Sequence, residues 1–313
     1  MTNYSEFYFL SADGKTMIHA NQWVPETPIR GVVQIAHGVA EYGKRYEPFA
    51  KFLCGHGFAV VANDHLGHGK SRIKDAPPLY FGEEKGWWHV VEDLEQLRKR
   101  TAAEFPGKPY FLYGHSMGSF LSRSYLIKYP NTLNGCILCG TGNPSEATIK
   151  AGEFVVDHAI KKCGKQGYSK VADRLIFGSY NKKFKPNRTS SDWLSANEEN
   201  VDAYLADPQC GGNISAGLLR DMLEGLEFVT NEANLAQMNP ALPVMFIAGQ
   251  DDPVGDMGKG VKKACEHFKE AGLKNVRLHL YDGMRHEILN EERKVNVYLD
   301  ILDWLEEYTD EQG

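Results

Sequence analysis

A serine hydroxyl becomes a useful nucleophile only when it is held exposed beside a base. One serine of this chain stands in a pattern that does this, the G-x-S-x-G of Gly114-His115-Ser116-Met117-Gly118. It falls between a short β-rich run, 109–114, and a stretch with helical spacing from about Met117 to just before Pro130. A tight strand-to-helix turn pushes the serine outward, and glycines two residues to either side remove side chains that would clash. The helix that follows aims backbone N–H groups at developing negative charge, so the N–H of Met117 is one expected oxyanion donor. The loop His37-Gly38-Val39, after an earlier apolar run, is expected to supply the other from Val39. Gly38 there permits close backbone approach, and the His37 side chain reads as a structural contact. The plain alternative for Ser116, a turn serine capping the next helix, leaves Gly118 in the first helical turn unexplained.

On a sheet with this kind of turn the acid and the base follow the serine in that order. After the run 244–249 comes Gln250-Asp251-Asp252-Pro253. Asp252 is the expected acid, because a residue before proline is biased toward the extended backbone that fixes a strand-end carboxylate; Asp251 and Asp256 are its rivals. Of eleven histidines, only His267, His279 and His286 follow. The first reads as helical and the second as lying in a strand. His286 occupies the loop after the last strand and is the expected base, with Asp252 holding its tautomer.

These residues need a scaffold, and the pattern supplies one. Glu6–Leu10 and Thr16–Trp23 flank an Asp13-Gly14 turn and predict an antiparallel hairpin. Short continuous apolar runs at 31–36, 58–64, 109–114, 134–142, 242–249 and 275–281 predict strands of a mostly parallel sheet. Helical spacing at Arg45–Cys54, Trp88–Phe105, Gly258–Ala271 and Glu291–Tyr308 alternates with them, which predicts a doubly wound α/β architecture. From 143 to 238 the alternation stops in favour of roughly four helical segments. The expected organisation is therefore a discontinuous core, 1–142 and 239–313, with a helical cap at 143–238.

The composition narrows the function. With 313 residues, 42% of them apolar, and a net charge of −6, the chain is neither disordered nor basic enough to suggest a nucleic-acid partner. Its longest apolar runs, 58–62 and 244–248, fall far short of the roughly 20 residues of a membrane span. No basic leader precedes an apolar stretch, so no signal peptide is expected and a cytoplasmic location is. Six scattered cysteines do not make a disulfide framework. Cys136 and Cys139 form a CxxC, but within a predicted buried strand and without a second pair to complete a zinc site.

Taken together, the chain resembles the serine α/β-hydrolases, in particular their monoacylglycerol lipase and lysophospholipase branch. His37-Gly38, Glu41, Arg45 and Tyr46 match its H-G-x-x-E-x-x-x-R-Y segment, and Asp64 to Ser71 its D-x-x-G-H-G-x-S. Gly114–Gly118 matches its G-H-S-M-G and Gly249–Asp252 its G-x-x-D. Ser119 departs from the pattern, standing where many members have glycine. The resemblance implies an α/β-hydrolase core, a helical cap over an acyl pocket, no cofactor, and hydrolysis of a lipid-like acyl ester, a monoacylglycerol or a lysophospholipid. It also supports Asp252 over Asp251.

Other readings make distinct demands. Asp64, His65 and His68 with His37 could suggest a metal site, but Gly67 and Gly69 read as a tight turn, and no metal is expected. A catalytically silent binding protein on the same fold would not need nucleophile, acid, base and oxyanion loop together. An aminopeptidase or thioesterase remains open. The former should place cap carboxylates, such as Glu198, Glu199 or Asp202, near a substrate ammonium. Within 161–188, nine basic residues face the single acid Asp173, a local charge of +8 that leaves −14 to the rest. This segment, interleaved with aromatic and aliphatic residues, is expected either to be a solvated face or to contact anionic lipid aggregates.

Overall fold

The computed structural model describes residues 2–310, so residue 1 and residues 311–313, at the ends of the two expected core stretches, lie outside it. Strands β1 (Thr2–Leu10) and β2 (Met17–Pro25) form the antiparallel hairpin, which runs further from the turn than the β-rich runs alone indicate. Then follow β3 (Gly31–Ala36), α1 (Glu47–Gly55), β4 (Phe58–Asn63), α2 (Gly86–Glu104), β5 (Tyr110–His115), α3 (Met117–Lys128) and β6 (Gly135–Cys139). α1 starts later than the apolar spacing suggests, because Gly43–Tyr46 forms a 3-10 turn and Pro48 fits only the first helical turn.

After β6 the chain leaves the sheet. It forms α4 (Glu146–Cys163), α5 (Lys170–Ile176), α6 (Glu198–Ala206), α7 (Ala216–Thr230) and α8 (Glu232–Leu235), with 3-10 turns at Tyr180–Phe184 and Asp192–Leu194. Ser145, Ser169, Asn197 and Ser215 each cap one of these helices by accepting a backbone N–H. The chain then returns as β7 (Val244–Gly249), α9 (Lys259–Glu270), β8 (Val276–Tyr281) and α10 (Lys294–Asp310).

The eight strands lie in the order β1-β2-β4-β3-β5-β6-β7-β8. The β1–β2 and β2–β4 pairs are antiparallel, and every other neighbouring pair is parallel. Strands β3 to β7 are buried along their whole length, as continuous apolar runs require, whereas β8 alternates as an edge strand. α1 and α10 cover one face through Phe49, Leu53, Ile301 and Trp304. α2, α3 and α9 cover the other with Leu94, Leu121 and Phe268, and the apolar residues of α4 and α7 join the same cluster. Cys136 belongs to one face and Cys139 to the other. The CxxC therefore points its two thiols to opposite sides of β6.

α7 is fitted to the core helices. A Cβ on Gly225 would lie 2.2 Å from the Trp87 ring of α2, so only glycine allows that approach. Arg123 of α3, fully buried, donates to Gly142 O (2.8 Å), Asn143 Oδ1 (2.9 Å) and Val229 O (3.0 Å). One guanidinium thus ties down the segment where the helical insertion begins and the end of its longest late helix.

Candidate active site

β5 ends at His115 and α3 begins at Met117, leaving Ser116 alone in the turn with φ 53° and ψ −121°. This is a strained backbone for a non-glycine residue. It is held by Ser116 N–H donating to Cys139 O at 2.9 Å. The flanking glycines have a measurable reason: a Cβ at Gly118 would lie 2.0 Å from Ala36 O, and one at Gly114 would lie 2.3 Å from Ser122 Oγ. Ser119, the departure from the family pattern, donates its hydroxyl to Ser116 O at 2.6 Å and so adds a tie beneath the turn.

The loop after β3 lies against this turn. A Cβ on Gly38 would come within 3.1 Å of Ser116 Cβ. Among the described residues no protein acceptor engages the backbone N–H of Val39 or of Met117. Gly38 N–H donates to Glu41 Oε1 at 2.6 Å, which fixes the loop from beneath. His37 Nδ1 bonds Gly38 O (2.7 Å), and His37 Nε2 accepts His65 N–H (2.9 Å). The His37 and His65 rings lie 4.0 Å apart, and burial pushes the pKa values of His37, His65 and His68 down, so all three are neutral packing groups. Asp64 turns the other way, accepting from His19 Nδ1 (3.0 Å), Gly43 N–H (2.9 Å) and Lys70 N–H (2.9 Å). Among the described residues no group of His, Cys, Asp and Glu is arranged to hold a metal ion.

Asp252, fully buried after β7, accepts from His286 Nδ1 at 2.9 Å and from Val254 N–H at 2.9 Å. Asp251 and Asp256 are exposed. His286, in the loop after β8, is buried with its ring 5.1 Å from that of Trp193. His267 is on α9, and His279 is stacked on Tyr281 at 4.2 Å on the edge strand. Ser116 opens onto two cavities. One, of about 140 Å³, is lined by His286, Glu41, Glu287, Asp173 and Tyr204 among others. The other, of about 880 Å³, is bounded by Phe120, Ile149, Ile176, Met222, Leu223 and Leu226 among others. Val39, Phe177 and Trp193 line both.

Beneath the site lies a buried charge network. Arg45 donates to Glu41 Oε2 (2.8 Å) and to both oxygens of Glu287 (2.9 and 3.0 Å). Glu41 also accepts from Tyr46 OH (2.8 Å) and His115 Nδ1 (3.2 Å). Burial alone would raise both carboxyls; His115 and Arg45 hold Glu41 well below the usual range, and Arg45 holds Glu287 low. In return Glu41 outweighs burial at His115 and raises its pKa. Sequence reasoning placed Glu41 and Arg45 only in a family segment, and it missed Glu287, Trp193 and Asp173. Adjacency to His286 was the one signal for Glu287. The acids that were singled out in the insertion do not face the site: Glu198, Glu199 and Asp202 are exposed on α6, two of them paired with Arg188.

A doubly wound sheet carrying a serine elbow and a buried Asp–His pair defines an α/β-hydrolase, and a serine hydrolase among them. The chain belongs to the family described as Serine aminopeptidase, S33, which matches residues 27–293. It is similar to the monoacylglycerol lipase of Mycolicibacterium smegmatis, with 29% identity over 96% of both chains. The monoglyceride lipase of Homo sapiens is 27% identical over 98% of this chain and 92% of its own. The solved structure of a highly thermostable carboxyl esterase from Bacillus coagulans superposes with a TM-score of 0.90 at 29% identity, covering 98% of this chain and 99% of that one.

Proposed function

We propose that this enzyme hydrolyses the ester bond of a monoacylglycerol through an acyl-enzyme, with Ser116, His286 and Asp252 as the triad. The observation that carries the reading is the position of Ser116 between a large, mostly apolar cavity and a small one to which Glu41, Asp173 and Glu287 bring carboxylates. An acyl chain fits the first and a glycerol-sized alcohol the second. Ser116 Oγ attacks the acyl carbonyl as His286 Nε2 takes its proton, and the N–H groups of Val39 and Met117 receive the oxyanion. The ester C–O bond breaks as His286 returns the proton to the departing alcohol. Water, deprotonated by the same imidazole, then releases the fatty acid and restores Ser116. The monoacylglycerol and monoglyceride lipases among the relatives support the substrate class.

Asp173 supports an uncharged head group. It lines the small pocket, where burial raises its carboxyl pKa, and an acid there accepts glycerol hydroxyls but repels a lysophospholipid phosphate. The same carboxylate favours a second reading, an aminopeptidase holding a substrate ammonium. Rates on a monoacylglycerol, a lysophospholipid, an acyl thioester and an aminoacyl anilide separate these readings. The glycerol ester should exceed the others in kcat/KM, and a faster anilide would transfer the assignment to the second reading.

Peripheral contact with anionic lipid aggregates is part of the proposal. The basic side chains of 161–188 are exposed, and so are Phe154 (77%), Val171 (71%) and Leu175 (52%). Leu175 also lines the larger cavity. Among the described residues no helix is long and apolar enough to cross a membrane. Co-sedimentation with anionic but not neutral vesicles, lost at high salt, is the expected result; equal binding to both refutes it. Six unpaired thiols suit a reducing, cytoplasmic setting.

A further inference from the structure

The loop that carries His286 is bonded to the helical insertion as well as to the sheet. Glu291 is the centre of that fastening. It is 3% exposed, and its Oε1 accepts the N–H groups of Arg285 (2.9 Å) and Ala196 (2.9 Å). Its Oε2 accepts those of Asn197 (3.2 Å) and again Ala196 (3.2 Å). One carboxylate therefore joins the residue before His286 to the segment leading into α6. On the other side of His286, Glu287 N–H donates to Leu194 O at 2.7 Å. Arg285 completes the tie, donating to Asp192 O (2.5 Å) and Ser195 O (3.1 Å).

We infer that Glu291 is a positioning residue: it locks the loop bearing His286 onto the segment 192–197, so that the insertion sets the placement of the base. The inference rests on His286 being the base of the proposed reaction. Both backbone neighbours of His286 are bonded to this network or to this segment, and the Trp193 ring lies against the imidazole. A carboxylate suits the position because it offers two oxygens, and so up to four acceptor sites, to converging N–H donors. Alanine would leave those donors unpaired and free the loop to drift. Glutamine keeps one acceptor oxygen but turns an NH₂ group toward N–H groups.

The test is steady-state hydrolysis of p-nitrophenyl butyrate, a small soluble ester, by wild type, Glu291→Ala and Glu291→Gln. Thermal melts and fluorophosphonate titration of active sites run in parallel. The expected result for Glu291→Ala is a kcat per titrated site lower by about 10- to 100-fold, as for a displaced catalytic group. KM should stay within about twofold of wild type, and the acidic limb of the pH–rate profile should shift. Glu291→Gln should lie between the two. A kcat per titrated site and a pH profile equal to wild type, with only a lower melting temperature, overturn the inference. If Glu291→Ala does not fold, Glu291→Gln, which disrupts the same tie, is held to the same outcomes. A wild type that neither hydrolyses an ester nor takes up the phosphonate refutes the proposed reaction instead; an active wild type beside an unimpaired variant refutes this inference alone.

Discussion

Arg45→Met keeps the length of a long side chain and removes the guanidinium that stands between Glu41 and Glu287. Its side chain is 12% exposed and those carboxylates 4% each, so the substitution leaves two buried anions without their shared cation. Removing one partner of a buried pair costs about 3–5 kcal/mol. An unfolding entropy of about 2.1 cal/mol/K per residue over 313 residues gives about 0.66 kcal/mol per degree. The expected fall in Tm near pH 8 is therefore about 5–8 °C. The pH dependence carries a sign. In the wild type burial raises both carboxyl pKa values, but their cationic partners bring them below the unfolded value. Their stabilisation is thus complete above an unfolded pKa of about 4.3 and lost as pH falls through the folded values. Without Arg45, burial acts on Glu287 largely unopposed and its folded pKa rises above the unfolded one. The variant then loses stability as pH increases, and its deficit should shrink from pH 8 to pH 5. Scanning calorimetry of both proteins at several pH values in this range measures it. A deficit under about 2 °C at pH 8, or one independent of pH, would refute the reasoning.

Ser116→Ala and His286→Ala should each lower kcat by about 10⁴-fold or more with unchanged far-UV circular dichroism; activity above a few per cent of wild type refutes the triad. Asp252→Asn should cost about 10⁴-fold and Asp251→Asn far less, and the reverse ranking would exchange their roles. Ile149→Trp, which narrows the larger cavity, should reduce kcat/KM for a long-chain monoacylglycerol relative to a butyryl ester by about 10- to 100-fold. A ratio unchanged across a chain-length series would place the acyl chain elsewhere. Gly118→Ala should abolish hydrolysis, because its methyl group meets Ala36 O, and an active, normally melting variant would disprove that clash.

The elements that could be read from sequence were those whose information is local. GVVQIA and VMFIAG announce buried strands because every residue faces a covered side of the sheet. Ser116 was legible because its turn imposes glycines at fixed offsets, and Asp252 and His286 because strand ends order them along the chain. Glu291 left no comparable trace. Its partners Ala196 and Asn197 are separated from it by 95 and 94 residues, and a glutamate at the start of an expected helix reads as surface charge. Asp173 was counted as one acid among nine bases, since nothing in its neighbours says that α5 turns it toward the pocket beside Ser116. The 3-10 turn at Asp192–Leu194 was equally hidden, because a single turn has no periodicity to detect.

The seating of α7 bears on recombination between relatives. A graft that exchanges residues 143–238 whole would carry away the helix into which Trp87 is pressed, leaving a fully buried indole without its cover and Arg123 without Val229 O. Crossover points before α4 and just ahead of α7 would keep that joint native but part α7 from α4, whose Glu153 and Asp157 hold Arg220 of α7 at 3.2 and 3.1 Å. Viable chimeras with altered chain-length preference should therefore draw α4 and α7 from one parent together with the residues that face Trp87, because α7 has to match the helical insertion and the sheet-covering helices at once.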